Sequence, residues 1–524
     1  MKAFTILALL AALAAGPVAP VQMPEPVDTA AIARIRDEGL NRSQVMDTLF
    51  WLTDRYGPRL SGSPEYEEAG DWAMGRLREW GVQNLRKQRF ASGPGWSLRN
   101  FHATMLEPRV MPMIGVPLAW TPGTSGTVRA EVVRPIITTS ADAEKYRGQL
   151  RGTIVLTQPA REVRMLEHGD GPVVRYADQD GRWRHEAMTA PSSRRARGLA
   201  VVPPAFDVAA FYRDEGVVAL FGRGRPTDLA PEGSGLSWVQ QRPDGGTIFP
   251  QDTAFPDADP AALLPRVTLA VEHYNRMVRL LEHDVPVTVE LNVDVRYTPE
   301  TTERPGNFNL LGEIPGTDKA DEIVLIGAHF DSWHAATGAT DNAAGSAAMM
   351  EVLRILNATG LRPRRTIRIA LWGDEENGLN GSAHYAREVL GTREAPTPDR
   401  DRFASYFNLD NGTGPIRGVW MQENPRVEPI FRAWAEPLAD LGVEIFSARS
   451  VTGTDHESFD ELGLPAFQFV QERYEYNSRT HHSNMDFYDR VQADDLRQAA
   501  TVAAVFVWHA ATRDDVLPRR SAAQ

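Results

Sequence analysis

Histidines and acidic residues stand in this sequence at points where predicted strands end, and these residue types can bind a metal ion. A predicted strand over 322–327 leads to His329, and a second over 366–372 leads to Glu375–Glu376. In an open α/β sheet, ligands bind beyond the carboxyl ends of the strands. The placement therefore predicts a metal or catalytic site at one edge of a sheet.

Three further segments follow the same pattern. Asp341 comes after a glycine-rich loop at a predicted helix start, a predicted strand over 403–409 ends in Asp410, and a later loop carries His481–His482. Each of these alone fits an ordinary helix cap, turn or surface histidine. Their joint placement at successive strand ends is what indicates a site. Because the chain has no cysteine, a transition-metal site must use His, Asp and Glu.

The elements that would position these residues alternate along the chain after residue 307. Further strands are predicted at 403–409 and 466–470, and helices at 343–356, 376–389 and 496–511. This alternation predicts an α/β fold with a mainly parallel sheet and helices on both faces. Nearer the N-terminus, Ser63 and Pro64 predict the start of a helix that runs to about residue 80.

The middle of the chain differs from the rest because short β-rich runs alternate there with loops rich in Gly, Pro and Asp. This change in character predicts a separate, inserted domain. The predicted division is a signal peptide at 1–22, a discontinuous α/β domain at 23–122 and 295–515, an inserted β-rich domain at 123–294, and a tail at 516–524.

Composition limits the classes of partner. The 524 residues carry 56 Lys and Arg against 69 Asp and Glu, a formal net charge of -13. Nucleic-acid binding normally requires a basic face, so we expect no nucleic-acid partner. A lysine, a short apolar run and small residues open the chain, which is typical of a secretory signal peptide and too short for a membrane span. We expect a secreted or periplasmic protein without a stable membrane span.

Several motifs together resemble the co-catalytic dizinc exopeptidases, metallopeptidase family 28. This family includes bacterial leucyl aminopeptidases, glutamate carboxypeptidases and the plasma glutamate carboxypeptidase type. The segments that carry the resemblance are Gly327–Asp331, Gly338–Gly345, Glu375–Ser382, Asn408–Asp410 and, for the plasma type in particular, Leu52–Ser63. The resemblance covers about residues 40–105 and 305–515. Family members often carry a protease-associated domain, and the middle block would correspond to it.

The resemblance implies two zinc ions per chain and a set of ligands for them. His329 and Glu376 would bind separate ions, Asp341 would bridge the two, Asp410 would join one and His482 the other. His481 competes with His482, and we prefer His482 because its spacing to Asp486 resembles the family pattern.

Other residues would serve the chemistry without binding metal. The same resemblance implies that Glu375 would be the general base. Adjacent residues leaving a strand point opposite ways, which is consistent with Glu375 facing the attacking water while Glu376 binds metal. Asp331 would orient His329 through the ring nitrogen that faces away from the metal. The remaining pocket candidates are Asp455, His456, Tyr474 and Tyr476, with either tyrosine as an oxyanion donor.

The sequence is therefore interpreted as a secreted zinc exopeptidase that hydrolyses terminal bonds of short peptides or dipeptides. The choice between aminopeptidase, carboxypeptidase and dipeptidase stays open, as does the oligomeric state. Two alternatives remain: a single-zinc glutaminyl cyclase, and a catalytically inactive binding protein with the peptidase fold.

Overall fold

Two mixed β-sheets organise the chain, and helices pack against both. The computed structural model describes residues 25–161, 163, 206–224, 245–250, 259–301 and 306–520, so the predicted signal peptide lies outside the described residues. In this described part, every helix is too short or too polar to cross a membrane. The α/β fold class predicted from the sequence is confirmed.

The first sheet carries most of the candidate site residues, and strands and helices are numbered here in chain order. Among the described residues, its eight strands in spatial order are β1 (Gln83–Phe90), β10 (Asn307–Ile314), β12 (Arg365–Trp372), β11 (Lys319–His329), β13 (Phe403–Asn408), β16 (Ala466–Gln471), β14 (Ile416–Trp420) and β15 (Ile445–Ser447). Strands β12, β11, β13 and β16 are parallel, whereas β1, β10 and β14 join by antiparallel pairing. The prediction of a mainly parallel sheet holds at its centre.

Helices bury both faces of this sheet. They are α1 (Thr29–Asn41), α2 (Val45–Phe50), α3 (Pro64–Glu79), α7 (Ala344–Ala358), α8 (Asn380–Tyr385), α9 (Asp399–Arg402), α10 (Glu428–Ala435), α11 (Glu457–Asp460) and α12 (Ala493–Thr512). Along β11, Val324 and Ile326 pack into the main core, whereas Leu325 joins a second cluster on the opposite face. A strand buried on both faces reads as a nearly continuous apolar run, which is why the sequence predicted it.

The predicted helix start at Glu376 is wrong, because α8 begins at Asn380. The carboxylate of Asp374 accepts hydrogen bonds from the side-chain amides of Asn377 (2.6 Å) and Asn380 (2.8 Å), which folds the chain into a turn. Leu379 then adopts a left-handed conformation with φ of 63°, which a helix cannot contain. Glu375 and Glu376 therefore lie in a tight turn rather than in a helix.

The second sheet is built mostly from the middle block. Among the described residues, its strands in spatial order are β3 (Met111–Pro112), β2 (Gly95–Glu107), β9 (Thr288–Thr298), β5 (Val128–Val133), β6 (Ile154–Leu156), β7 (Ala219–Gly222), β8 (Arg266–Leu269) and β4 (Gly115–Pro117). Strands β2, β3, β4 and the end of β9 lie outside 123–294, so this sheet extends past both predicted boundaries of the block. The pairing of β2 with β9 along most of their length brings the two ends of the block together.

The block also contains helices that the description as β-rich did not anticipate: α4 (Ser140–Glu144), α5 (Val208–Glu215) and α6 (Val271–Glu282). The buried side chains of Tyr274, Met277 and Val278 pack α6 against the sheet. Their spacing is helical, so the signal was present in the sequence.

At the C-terminal end of the chain, part of the predicted tail is packed against the fold. Leu517 is buried, and the side chain of Asn424 donates to the carbonyl of Pro518 at 2.6 Å.

Candidate metal centre and active site

The site lies where the central parallel strands of the first sheet end. His329 is the last residue of β11, Glu375–Glu376 follow β12, and Asp410 follows β13. Because these three strands are adjacent and parallel, their carboxyl ends meet at one edge of the sheet. The structure thus brings together residues that are up to about 80 positions apart in the chain.

One group of potential ligands contains His329, Asp341 and Asp410. Nε2 of His329 lies 3.1 Å from Oδ1 of Asp341 and 3.6 Å from Oδ1 of Asp410. The ligand atoms of all three residues lie within 4.8 Å of one another, and all three residues are buried. This is the arrangement expected of three ligands that share one ion.

A second group contains Asp341 again, now through its other oxygen. Nε2 of His482 lies 3.3 Å from Oδ2 of Asp341 and 2.8 Å from Oε2 of Glu376. His481 stacks on the ring of His482, and its Nε2 is farther from the same Asp341 oxygen, at 3.8 Å. Asp341 therefore presents one carboxylate oxygen to each group, as a bridging ligand must.

The donor set fits two zinc ions. Ligand atoms about 2.0–2.2 Å from a tetrahedral zinc lie roughly 3.4 Å from one another, close to the separations observed here. Two buried carboxylate oxygens, Oδ2 of Asp341 and Oε1 of Glu376, accept no hydrogen bond from any residue that the structure describes. Buried polar atoms normally have a partner, and a cation would supply it.

The electrostatics of the site also indicate a cation. Burial raises the pKa of Glu376 to about 7 and that of Asp455 to about 8, and it raises the pKa of Glu375 well above its usual value. Burial lowers the pKa of His329, but the nearby Glu375 and Asp410 carboxylates outweigh this effect and raise it well above its usual value. Such a concentration of buried acidic groups is stable in ionised form only with compensating positive charge.

Asp331 contacts both His329 and the turn after β12. Nδ1 of His329 lies 3.1 Å from the backbone oxygen of Asp331 and 3.7 Å from its carboxylate. The Asp331 carboxylate also accepts from the backbone amides of Glu375 (3.2 Å) and Glu376 (3.4 Å) and from the hydroxyl of Ser61 (2.9 Å). Asp331 thus contacts the histidine and holds the turn that carries both glutamates.

Asp486 was used in the sequence analysis only for its spacing to His482, yet it contacts Asp341 directly. Its carboxylate accepts from the backbone amides of Thr340 (2.7 Å) and Asp341 (3.1 Å). Ser61 is a second residue that sequence reasoning missed. Its signal was the motif around residues 52–63, which had been noted only as a family resemblance.

Two of the four pocket candidates, Asp455 and His456, are adjacent in the chain and differ in their surroundings. Asp455 is fully buried, and the charges of His329 and Asp410 act on it, whereas His456 contacts the backbone oxygen of Val451 through its Nε2 at 2.9 Å. Burial lowers the pKa of His456 to about 4, so it is a neutral structural histidine.

The two tyrosines differ in what they face. The hydroxyl of Tyr474 donates to Asp495 at 2.7 Å, away from the proposed ligands. Tyr476 is buried, stacks against the ring of His481, and its hydroxyl is acted on by the charges of Asp341 and other acidic groups of the site. Both tyrosines line a cavity of about 310 Å³, together with Thr340 and Thr480.

The middle block reaches the site through residues 245–250. The side chain of Asn484, two residues after His482, donates to the carbonyl of Gly246 at 3.0 Å and accepts from the amide of Ile248 at 2.7 Å. The amide of Asn484 in turn donates to the carbonyl of Ile248 at 3.1 Å. This segment therefore borders the loop that carries His482.

Comparison with known proteins shows similarity to peptidases in sequence and in fold. Residues 309–507 match the family model described as peptidase family M28. Carboxypeptidase Q from Mus musculus is 25% identical over 492 residues, covering 93% of this chain and 90% of that protein. The structure of a peptidase M28 precursor from Shewanella amazonensis SB2B is 25% identical, with a TM-score of 0.61 over 94% of this chain and 98% of that one.

A more distant structure shares the fold. The zinc aminopeptidase from Bacillus subtilis is 16% identical, with a TM-score of 0.51, and the match covers 90% of this chain and 95% of that one. The fold, together with the similarity to carboxypeptidase Q and to the peptidase M28 precursor, identifies the chain as a metallo-exopeptidase. Within this chain, residues 309–507 are the part that matches peptidase family M28.

Proposed function

We propose that this metallo-exopeptidase binds two zinc ions and hydrolyses a terminal bond of short peptides, releasing an amino acid or splitting a dipeptide. The observation that carries the proposal is the position of Asp341, whose two oxygens each join a separate group of ligands. A single-zinc enzyme has no need for such a bridge. An inactive binding protein has no need for the buried Glu375 beside it.

The proposed ligands of one ion are His329 and Asp410, those of the other are His482 and Glu376, and Asp341 binds both. The separations within each group support this division. The bound ions would polarise the scissile carbonyl and make the attacking water more acidic.

Glu375 is the proposed general base, which accepts the proton of the attacking water and passes it to the leaving amine. Its backbone amide is held by Asp331, so the carboxylate has a defined position. Tyr476 is the proposed oxyanion donor rather than Tyr474, because the hydroxyl of Tyr474 is already committed to Asp495. Asp455 is a buried acidic residue whose charge acts on Glu375.

The proposal includes export through the predicted signal peptide at 1–22, on the strength of the sequence pattern alone. The proposal includes hydrolysis at either the amino or the carboxyl end of a peptide substrate. The curated relative that matches across most of the chain is named a carboxypeptidase, and a structure that shares the fold is named an aminopeptidase.

The experiment that tests the proposal combines metal analysis with blocked substrates. We expect about two equivalents of zinc, loss of hydrolysis after chelation, and recovery with zinc or cobalt, since every proposed ligand is histidine or carboxylate. Dipeptides blocked at the amino or at the carboxyl end then identify which terminus must be free. One equivalent of metal would favour the cyclase alternative, and unchanged turnover after exhaustive chelation would refute the metallopeptidase.

We further propose that residues 123–294 form an inserted, protease-associated-like domain that limits substrate length. The contact between Asn484 and the segment 245–250 supports this, because it brings the block beside the His482 loop. Short peptides should be good substrates and folded proteins poor ones. Asn484→Ala should raise kcat/KM for longer peptides relative to dipeptides at unchanged metal content; efficient internal cleavage of a folded protein would contradict the proposal.

A further inference from the structure

The loop that connects His329 to Asp341 has little regular structure, although the separation of the two proposed ligands depends on it. Residues 330–338 lie between strand β11 and a short helical turn at Ala339–Ala343. A loop without its own ladder of hydrogen bonds needs other partners for its backbone groups. The hydrogen-bond donors that contact the loop carbonyls therefore identify the residues that stabilise the loop.

One buried guanidinium binds carbonyls near both ends of this loop. Nε of Arg59 donates to the carbonyl of Phe330 at 2.8 Å, Nη1 to that of Thr337 at 3.0 Å, and Nη2 to that of Gly338 at 3.0 Å. Nη1 also donates to the carbonyl of Leu52. The loop is thus tied to the N-terminal part of the chain by a side chain with no exposure to solvent.

The backbone of Arg59 adds two more contacts to the same loop. Its amide donates to the hydroxyl of Ser332 at 3.1 Å, and its carbonyl accepts from the amide of Ser332 at 3.1 Å. The segment before Arg59 lies close to the loop, because a Cβ added at Gly57 would lie 2.7 Å from the carbonyl oxygen of Thr337. Glycine is therefore needed at this position.

The charge of Arg59 also faces the metal centre. The charges of Asp486, Asp331 and Asp341 favour the charged guanidinium, but burial outweighs them and lowers the pKa of Arg59 to about 10. A buried arginine bound only to neutral carbonyls is costly unless nearby negative charge offsets it. The hydrogen bonds of Arg59 hold the loop, and the nearby carboxylates offset part of the cost of burying its charge.

We propose that Arg59 is a positioning residue for the metal centre, which holds both ends of the loop between His329 and Asp341 and so sets the separation of these two ligands. This inference rests on the proposed function. It assigns a role to the Leu52–Ser63 motif, which the ligand and base assignments leave unused. The side chain of Arg59 donates to backbone carbonyls and not to a proposed ligand side chain.

The matched control is Arg365, at the start of β12 and hence at the opposite end of the sheet from the site. It too has no exposure to solvent, and it donates to the carbonyls of Ala510, Arg513 and Asp514 as well as to Glu322. Lysine at either position keeps the charge but loses the planar fork of donors. Both substitutions should therefore lower thermal stability.

The experiment measures metal affinity by competition with a chelator, and the visible absorption of the cobalt-substituted protein, for wild type, Arg59→Lys and Arg365→Lys. We expect Arg59→Lys to weaken metal binding by roughly 10–100-fold, as other changes that disturb ligand orientation do, and to alter the cobalt spectrum. Arg365→Lys should leave both at wild-type values. Ser332→Ala, a milder change to the same contact, should shift both readouts several-fold less in the same direction.

Two results would overturn the inference: wild-type metal affinity and cobalt spectrum in both Arg59→Lys and Ser332→Ala, or equal losses in Arg59→Lys and Arg365→Lys. If Arg59→Lys does not fold, Ser332→Ala decides alone. A wild-type protein that binds no metal would instead refute the proposed function, and with it the basis of this inference. The two failures are therefore distinguishable.

Discussion

Glu375 and Glu376 are adjacent in the chain, yet the structure separates their surroundings. Glu376 contacts His482 at 2.8 Å, whereas Glu375 lies among His329, Asp410 and Asp455. The turn after β12 makes this possible, because Asp331 holds both backbone amides from one side. These different surroundings support the proposed roles, with Glu376 as a metal ligand and Glu375 as the general base.

Substitution of each glutamate should separate these two roles. Glu375→Gln cannot accept a proton, so we expect a rate loss of at least roughly 10²–10⁴-fold with metal content near two equivalents. Glu376→Gln replaces a charged ligand by a weak neutral one and should lose both metal and rate. Metal analysis beside steady-state kinetics checks this. If Glu375→Gln loses a metal while Glu376→Gln keeps both, the two assignments are reversed.

At the scale of elements, the start of helix α7 is joined to the end of strand β13. Asn342 donates its side-chain amide to the carbonyl of Leu409 at 3.0 Å and accepts from the amide of Gly345 at 2.9 Å. It follows Asp341 directly, and Leu409 precedes Asp410. The contact between helix and strand therefore helps to set the distance between two proposed ligands.

Gly345→Ala should disturb this contact. An added Cβ would overlap the side chain of Asn342 and the carbonyl of Leu409, so we expect a loss of about 1–3 kcal/mol in the free energy of unfolding, and weaker metal binding. Gly75→Ala in α3 is the control, because a Cβ there meets nothing within 4 Å and should stabilise by roughly 0.5–1 kcal/mol. Urea unfolding measures the stability of each variant, and competition with a chelator measures its metal affinity. Wild-type behaviour of Gly345→Ala would contradict the prediction.

At the scale of the whole molecule, a buried histidine links the two sheets. His334, in the loop after β11, contacts the carbonyl of Pro117 at the end of β4 through its Nε2 at 2.6 Å. Its ring also packs edge-on against Trp96 of β2 at a centroid distance of 5.0 Å. Burial lowers the pKa of His334 to about 4, so the histidine is neutral in the folded protein near neutral pH.

This link predicts a pH dependence of stability. Between about pH 6.5 and pH 4, the unfolded chain binds a proton at His334 and the folded chain does not, so acidification should destabilise the fold by up to about 3 kcal/mol. Above the unfolded pKa of about 6.5 the contribution is constant. His334→Gln can still donate to Pro117 but cannot titrate.

The measurement compares the free energy of unfolding of the metal-free wild type and His334→Gln at pH 7.5 and at pH 4.5. The wild type should lose about 2–3 kcal/mol more than the variant on acidification. Parallel losses in the two proteins would show that His334 is not the group responsible. Removing the metal from both proteins excludes loss of ligands as a cause.

Sequence determined the fold class and the candidate residues because both leave local signals. Buried strands read as apolar runs, as at 322–327, and the residue types at their ends define which chemistry is available. The helix start at Pro64 was predicted correctly because it depends on a local contact. The hydroxyl of Ser63 accepts a hydrogen bond from the backbone amide of Tyr66, three residues along the chain. Such interactions lie within a few residues of each other, and a sequence displays them.

Tertiary structure decided what depends on contacts between distant segments. The helix predicted to begin at Glu376 begins at Asn380, because Asp374 holds the turn locally and Asp331, more than 40 residues earlier, accepts from the amides of both glutamates. The second sheet takes in β2 because this strand pairs with β9, almost 200 residues later. Arg59 gave no chemical signal in the sequence, because its partners are backbone carbonyls, which every residue has. Only the folded chain shows that these particular carbonyls meet at one side chain.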